Sequence, residues 1–429
     1  MERRILHADF NSFYASVACR LDPSLRTRAV AVAGDPNKRH GIILAKNELA
    51  KRFGVKTAEP IWQARQKCPQ LVVVPPDYEA YKDFSERGRR IYCEYSDYVE
   101  GFGLDENWID LSILTSDLFD ARNMAECIRA RIVEELGITV SIGVANNKVF
   151  SKLGSDIKKP NAVTLVSPEN YQDVAWPLPV TDLLYVGRAT NAKLARYGIA
   201  TIGDLANTPE SLLRTLLGKC GVMLHAFANG NDVSPVTPAG YEAPPKSVGN
   251  GITAPRDLVD DADVYLITCM LAESVASRLR AQGLRAKTVS VAVRDTGLYT
   301  YMRQCTLHYA SDLATELARA AMALFRANYT WSIPVRAITV TASDLITSNT
   351  PAQLSLFSDE EARMREHALE SAVDGIRRRY GYDAIGRAMF LSERFRGIND
   401  PKGEAPVHPV GFLQNGTMDD MVARMPDAL

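Results

Sequence analysis

Two short apolar segments that each run into carboxylates constrain this chain more than any other feature. The first, Arg3-Arg4-Ile5-Leu6-His7-Ala8-Asp9, reads as a buried strand with an acid at its end. The second spans Val99 to Leu111, where two apolar arms flank Asp105-Glu106, so that adjacent strands meet at an acidic turn or end. A carboxylate at the end of a buried strand needs a neutralising partner. Arg or Lys is one answer and a metal ion another. Carboxylate oxygens suit Mg²⁺, a hard, octahedral ion that often shares its coordination with substrate phosphates. Two such ions about 4 Å apart activate an attacking hydroxyl and stabilise the group that leaves. An Asp-Glu pair by itself is usually a solvated turn; the apolar strands leading into these carboxylates set them apart.

At 429 residues the chain exceeds one hydrophobic core, and several domains are expected. After the first strand, Asn11 or Ser12 is placed to cap a helix through about Leu21. Strands are expected at Ala29 to Ala33, Ile42 to Ala45, Leu71 to Val74 and Val140 to Val144. Helices are expected near Asn47 to Phe53, Ile61 to Lys67, Tyr78 to Tyr95, Asp117 to Leu136 and Asn146 to Ile157. Short helices broken by glycine follow from Pro168, and a stretch rich in proline and small residues marks a linker over 234–245. Residues 246–346 read strand, helix, strand, strand, helix, strand, the split arrangement of a small ferredoxin-like domain. A polar stretch and a charged helix from Glu360 to about Arg379 come next. The run Arg377-Arg378-Arg379-Tyr380 in it reads as the solvated end of that helix.

Net charge is −1, which leaves room for a basic groove balanced by acidic surface elsewhere. Seven scattered cysteines without a C-x-x-C pair suit neither a disulfide framework nor a zinc site. No apolar run approaches the ~20 residues that cross a bilayer, and the start turns polar too soon for a secretory signal. A cytoplasmic protein is expected.

Three motifs carry a family resemblance. Asp9-Phe10-Asn11-Ser12-Phe13-Tyr14-Ala15-Ser16-Val17 resembles the opening motif of Y-family DNA polymerases. Gly103-Leu104-Asp105-Glu106 with Asp110 resembles their second acidic motif, and Ile142 to Asn161 the third. Order and spacing match from about residue 3 to 345, most closely in the bacterial DNA polymerase IV branch. The resemblance implies an α+β right hand: palm at 1–10 and 78–167, small fingers at 11–77, a helical thumb with a helix-hairpin-helix at 168–233, and a ferredoxin-like little finger at 246–346. The remainder, 347–429, would hold a clamp-binding segment, a helix and a tail.

The implied activity is template-directed, low-fidelity addition of dNTPs to a primer 3′-hydroxyl, without proofreading, in translesion synthesis. Asp9, Asp105 and Glu106 would hold two Mg²⁺ ions, with the Phe10 carbonyl joining them. Tyr14 would be the steric gate against a ribose 2′-hydroxyl. Phe13, Lys51 and Lys159 would line the nucleotide, Lys159 by neutralising its triphosphate. Gly187 and Arg188 in the hairpin would meet a DNA phosphate. Arg278, Arg280, Arg285, Lys287, Arg294 and Arg303 are candidates for backbone contacts in the little finger, with Arg294 and Arg303 expected near each other on one sheet face. Gln353-Leu354-Ser355-Leu356-Phe357 resembles the peptide by which bacterial polymerases dock on the sliding clamp. Primer-template DNA, dNTPs and the clamp are thus the expected partners of a monomer.

The chain departs from the pattern at Gly103, where serine is common, and in the fingers, where Glu48 and Lys51 replace the usual Tyr and Arg. Glu48 would repel a triphosphate unless paired, with Lys51 or Arg52 within reach. Two rivals are a palm-fold nucleotide cyclase and a non-catalytic clamp-bound accessory. The first lacks its Gly-Gly-Asp/Glu-Glu/Asp-Phe turn here, and the second does not need three intact carboxylates.

Overall fold

The first apolar segment is β1 (Ile5–Phe10), buried at all six positions. It leads into α1 (Phe13–Leu21), β2 (Val30–Ala33), β3 (Ile43–Lys46), α2 (Glu48–Arg52), α3 (Ile61–Lys67) and β4 (Val72–Val74). Next come α4 (Tyr78–Cys93), β5 (Val99–Phe102), β6 (Glu106–Asp110), α5 (Leu118–Leu136), β7 (Val140–Ala145), α6 (Lys148–Ile157) and β8 (Val163–Val166). Five helices follow: α7 (Tyr171–Val174), α8 (Arg188–Ala195), α9 (Ile202–Asn207), α10 (Glu210–Leu217) and α11 (Lys219–Ala228). The structure, a computed structural model, describes residues 3–35, 41–351, 360–395 and 398. It divides into two units, one running to Gly34 and over Ile42–Ala243, the other from Pro244 onward.

In the first unit β1 is the middle strand of a sheet ordered β5-β6-β1-β7-β8. It pairs antiparallel with β6 and β7, so Asp9 lies opposite Glu106 on one side and Ser141 on the other. Side chains alternate between faces along a strand. Leu6, Ala8 and Phe10 join a core with Tyr81 and Phe84 of α4 and Ile128 and Ile132 of α5. His7 and Asp9 therefore belong to the other face, where α6 crosses. That crossing depends on Gly143, the register partner of His7. A Cβ there would fall 1.8 Å from the Ser151 carbonyl oxygen.

Asn47, Asp77, Asp117 and Asn147 each cap a following helix with a side-chain oxygen. The cap expected on α1 is absent. Ser12 sits at φ 49° with no side-chain cap bond. The Asn11 amide is engaged elsewhere, donating to Ser141 Oγ at 3.0 Å and accepting from Asn161 N at 2.8 Å. β2, β3 and β4 form a separate three-stranded sheet with its own small core around Ala31, Ile43 and Ala64. The stretch expected as a linker begins pinned: Thr237 N donates to Glu100 at 2.9 Å, and Val236 is buried with Ile5 and Trp108.

The second unit comprises β9 (Ser247–Leu258), α12 (Asp261–Ala281), β10 (Leu284–Asp295), β11 (Thr300–Ser311), α13 (Ala314–Asn328), β12 (Val335–Thr347) and α14 (Glu360–Tyr380). The strand-helix-strand-strand-helix-strand order is as expected, in an antiparallel sheet ordered β11-β10-β12-β9. α14 is tied to this unit by charge. Arg280 pairs with Glu370 and, at 2.7 Å, with Asp374, while Glu370 also accepts from Ala314 N at 3.0 Å. Arg377 lies 3.0 Å from Glu273 and donates to the Ile385 carbonyl, so the basic run is not simply a solvated helix end. The helix needs these partners because a guanidinium is buried only where carboxylates meet it.

Candidate active site

β1 and β6 place Asp9 and Glu106 as direct cross-strand neighbours, and Asp105 occupies the turn between β5 and β6. Phe10 N donates to the Asp105 carbonyl at 3.0 Å, which locks that turn onto the end of β1. Gly103 turns the chain here at φ +84°, a conformation that serine would adopt only with strain. Glycine at this departure from the family pattern thus has a backbone reason.

α6 and the loop after it supply the counter-charges. Lys159 Nζ lies 2.7 Å from Asp9 Oδ2 and 2.7 Å from Asp156 Oδ1. Lys152 pairs with Glu106 Oε2, and His7 Nε2 is 3.1 Å from the same oxygen. Burial pushes the Asp9 carboxyl up to about 6, with Lys159 opposing and Glu106 adding to the rise. Asp105 is pushed up to about 7 by burial and then by the charges of Asp9 and Glu106. Burial also disfavours ionised Glu106, but His7 and Lys152 outweigh it and hold that carboxyl down at about 2. The buried His7 ring is pulled down to about 4, and is neutral near pH 7.

Two of the three acids are therefore disfavoured as anions by burial and by neighbouring carboxylate charge, despite two nearby lysines. Among the described residues no three His, Cys, Asp or Glu side chains already converge as a finished cation cage. The donor chemistry nevertheless fits a hard divalent ion, with only oxygens offered by partly buried carboxylates that repel one another.

Tyr14 lies on α1 beside this cluster. Its ring stacks on Tyr81 at 4.0 Å between centroids and 7° between planes, and meets Tyr78 edge-on at 6.2 Å. Burial, then the charge of Asp105, pushes its hydroxyl up to about 12. Phe13 is buried in the sheet's core, with its ring 5.3 Å from Phe10. Glu48 does find a partner, with Lys51 Nζ at 3.6 Å and Ser12 Oγ at 3.4 Å.

Other expected contact residues are more dispersed. Gly187 is the N-cap residue of α8 and Arg188 its first helical residue, both exposed. The element before Gly187 is a single 3₁₀ turn, Val180–Asp182, rather than a full helix. In the second unit Arg303 pairs with Val291 across β10 and β11, whereas Arg294 pairs with Thr300. Positions 291 and 294 have opposite parity, so Arg294 and Arg303 face opposite sides of the sheet, against expectation. Arg303 donates to Asn328 of α13, on the helix-covered side. Arg280 is enclosed by Glu370 and Asp374, and Arg278 donates to the Ser274 and Gly249 carbonyls, which removes both from the phosphate-binding candidates. Gln353, Leu354, Leu356 and Phe357 lie outside the described residues.

Sequence reasoning missed His7, Lys152 and Ser155. A signal for His7 was present: it precedes Asp9 by two, and so shares its face of β1.

Residues 8–156 match the impB/mucB/samB family, 245–356 that family's C-terminal domain, and 181–232 the DNA polymerase-iota thumb domain. A DNA polymerase IV of Acetivibrio thermocellus is 47% identical over 399 residues, covering 93% of this chain and all of that protein. The chain belongs to the Y-family DNA polymerases, in the DNA polymerase IV branch. A second relative, DNA polymerase IV 1 of Bacillus subtilis, is 36% identical over 396 residues, 91% of this chain and 94% of that one. The fold is that of a solved Y-family DNA polymerase chimera, with a TM-score of 0.70 at 22% identity over 80% of this chain and 99% of the chimera. As a Y-family DNA polymerase the chain is a DNA-directed enzyme that acts on DNA, and the cyclase and accessory readings fall away. Among the described residues no helix is long and apolar enough to cross a membrane.

Proposed function

We propose that this polymerase extends a primer 3′-hydroxyl by two-metal nucleotidyl transfer at Asp9, Asp105 and Glu106, with low fidelity and in tolerance of damaged templates. The observation that carries the reading is the register of β1 against β6, which sets Asp9 directly opposite Glu106 with Asp105 in the adjoining turn. Those carboxylates, joined by the Phe10 carbonyl, would hold two Mg²⁺ ions. When bound, the ions supply charge neutralisation at the attacking and leaving oxygens.

The residues of the chain have the following parts. The primer 3′-hydroxyl gives up its proton to solvent, its oxygen forms a bond to the α-phosphorus of the dNTP, and the bond from that phosphorus to the bridging oxygen breaks so that pyrophosphate leaves. Lys159, on the loop after α6, binds the triphosphate and exchanges Asp9 for phosphate oxygens as its partner. Tyr14 fills the space that a ribose 2′-hydroxyl would need. The sheet carrying the acids acts as palm, residues 11–77 as fingers and 168–233 as thumb. Gly187, Arg188 and the outward Arg294 hold backbone phosphates without regard to sequence. Gln353–Phe357 docks on the sliding clamp, which raises the effective concentration at a primer end. The enzyme works in the cytoplasm as a monomer.

Primer extension with Mg²⁺ and dNTPs tests the reading, with an Asp105→Ala, Glu106→Ala double variant alongside. The wild type is expected to extend undamaged and abasic templates, and the variant neither. Extension by the variant at the wild-type rate would remove the metal assignment, and a misinsertion frequency as low as that of a replicative polymerase would remove the low-fidelity reading.

A further inference from the structure

The loop that carries Lys159 runs from the end of α6 at Ile157 to the start of β8 at Val163. It is pinned from two sides at Asn161. The backbone N–H of Asn161 donates to Asn11 Oδ1 at 2.8 Å. The Asn161 side chain is held in turn, its Oδ1 accepting from Arg129 Nη1 of α5 at 3.0 Å. Arg129 is steadied by Glu126 on the same helix, with its Nε 2.7 Å from Oε2. Asn161 sits at φ +58°, in the left-handed region that asparagine tolerates better than most residues. Lys159 lies two residues before it, with Nζ 2.7 Å from Asp9 Oδ2.

Asn11 is a fixed post for this loop. It is 4% exposed. Its N–H donates to the Thr139 carbonyl at 2.9 Å, and its carbonyl accepts from Ser16 Oγ at 2.6 Å. A backbone N–H only donates, so the Asn11 amide oxygen faces Asn161 and the NH₂ group faces Ser141 Oγ, at 3.0 Å. One residue thereby joins the end of β1 to α1, to β7 and to the loop after α6. A lysine ammonium rides on a flexible four-carbon stem, so the place of its backbone decides which oxygens it can reach.

We propose that Asn11 is a positioning residue for the dNTP triphosphate: by holding the Asn161 N–H it fixes the loop from which Lys159 reaches the phosphates. The inference rests on the reading of Lys159 as a triphosphate ligand. Arg129 supports the same loop from the other side of Asn161.

The test is single-turnover primer extension over a series of dNTP concentrations, which yields the apparent dNTP Kd and the maximal rate separately. The full chain is used with saturating primer-template and Mg²⁺. Asn11→Ala, Lys159→Ala and the double variant are compared with the wild type. Asn11→Ala is expected to raise the apparent Kd by roughly tenfold, within the hundredfold that a misplaced group can cost, and to change the maximal rate less. If Asn11 acts through Lys159, its loss costs little once the lysine is gone. The double variant should then match Lys159→Ala to within about twofold, whereas a general loss of packing would add its full factor in either background. Thermal melts report whether each variant is folded. If Asn11→Ala is not, Arg129→Met takes its place in the same cycle. A wild-type Kd in the folded variant, or its full penalty in the Lys159→Ala background, overturns the positioning role while Lys159→Ala remains weakened. A wild-type Kd in Lys159→Ala overturns the triphosphate reading beneath it.

Discussion

A tyrosine stacked flat on another tyrosine is a wall with a fixed position. Tyr14 lies 4.0 Å from Tyr81 with nearly parallel rings, and Tyr78 blocks it edge-on. Its ring can therefore exclude an added hydroxyl by shape, without forming a bond to the sugar. Replacing it with Ala opens that space, while Phe keeps the ring and the stack. Tyr14→Ala is expected to raise ribonucleotide incorporation relative to dNTP by roughly tenfold or more, the factor that ~1.4 kcal/mol of lost discrimination gives. Tyr14→Phe should leave the ratio near wild type. Single-nucleotide kinetics with matched rNTP and dNTP pairs measures both, and an unchanged ratio in Tyr14→Ala would remove the gate. The carboxylates were legible because strand and acid adjoin in the sequence. For His7 only its face was legible, from its spacing to Asp9, and not the groups that meet it there. Its partners, Glu106 and Ser155, lie far along the chain and come close only through sheet register and the seat of α6.

At the scale of elements, the fold shows which signals were local. Caps of Asn and Asp mark the starts of α2, α4, α5 and α6, and these helices were readable from their own residues. β8 was not, because a four-residue run after Pro160-Asn161 is too short to separate from a loop. The facing of Arg294 and Arg303 was misjudged for a related reason, since parity across a hairpin depends on where the turn closes and not on each strand alone. α6 packs closely on β7 at Gly143. A methyl there meets the Ser151 carbonyl oxygen at 1.8 Å and Ser155 N at 2.5 Å, both backbone atoms that cannot swing aside. Gly143→Ala is expected to cost about 3 kcal/mol of stability, the upper range for overpacking. It should also lower activity, because α6 carries Lys152 and Ser155. Thermal unfolding and primer extension of the variant check this, and a melting temperature unchanged from wild type would show that the crossing can relax.

Over the whole molecule, charge must serve two purposes that net charge does not reveal. The chain carries 50 basic and 51 acidic residues, close to balance, yet an enzyme that copies any template must hold a polyanion. Arginines in the second unit divide accordingly. Arg280 is spent inside the protein on Glu370 and Asp374, with only 9% of its side chain exposed. Arg294 is exposed on the sheet face that the helices leave open, and its Nε makes one long contact, to the Leu298 carbonyl at 3.5 Å. Each phosphate neutralised releases condensed counterions, so removing one contact lowers the slope of log affinity against log salt by about one. Arg294→Ala is therefore expected to weaken binding to primer-template DNA of any sequence and to reduce that slope by about one. Arg280→Leu should leave the slope unchanged, while leaving two carboxylates buried without their partner at a cost of about 3–5 kcal/mol. Fluorescence anisotropy across a salt series and thermal unfolding separate the two outcomes. A reduced slope for Arg280→Leu, or an unchanged one for Arg294→Ala, would reverse the division between arginines that hold DNA and arginines that hold α14.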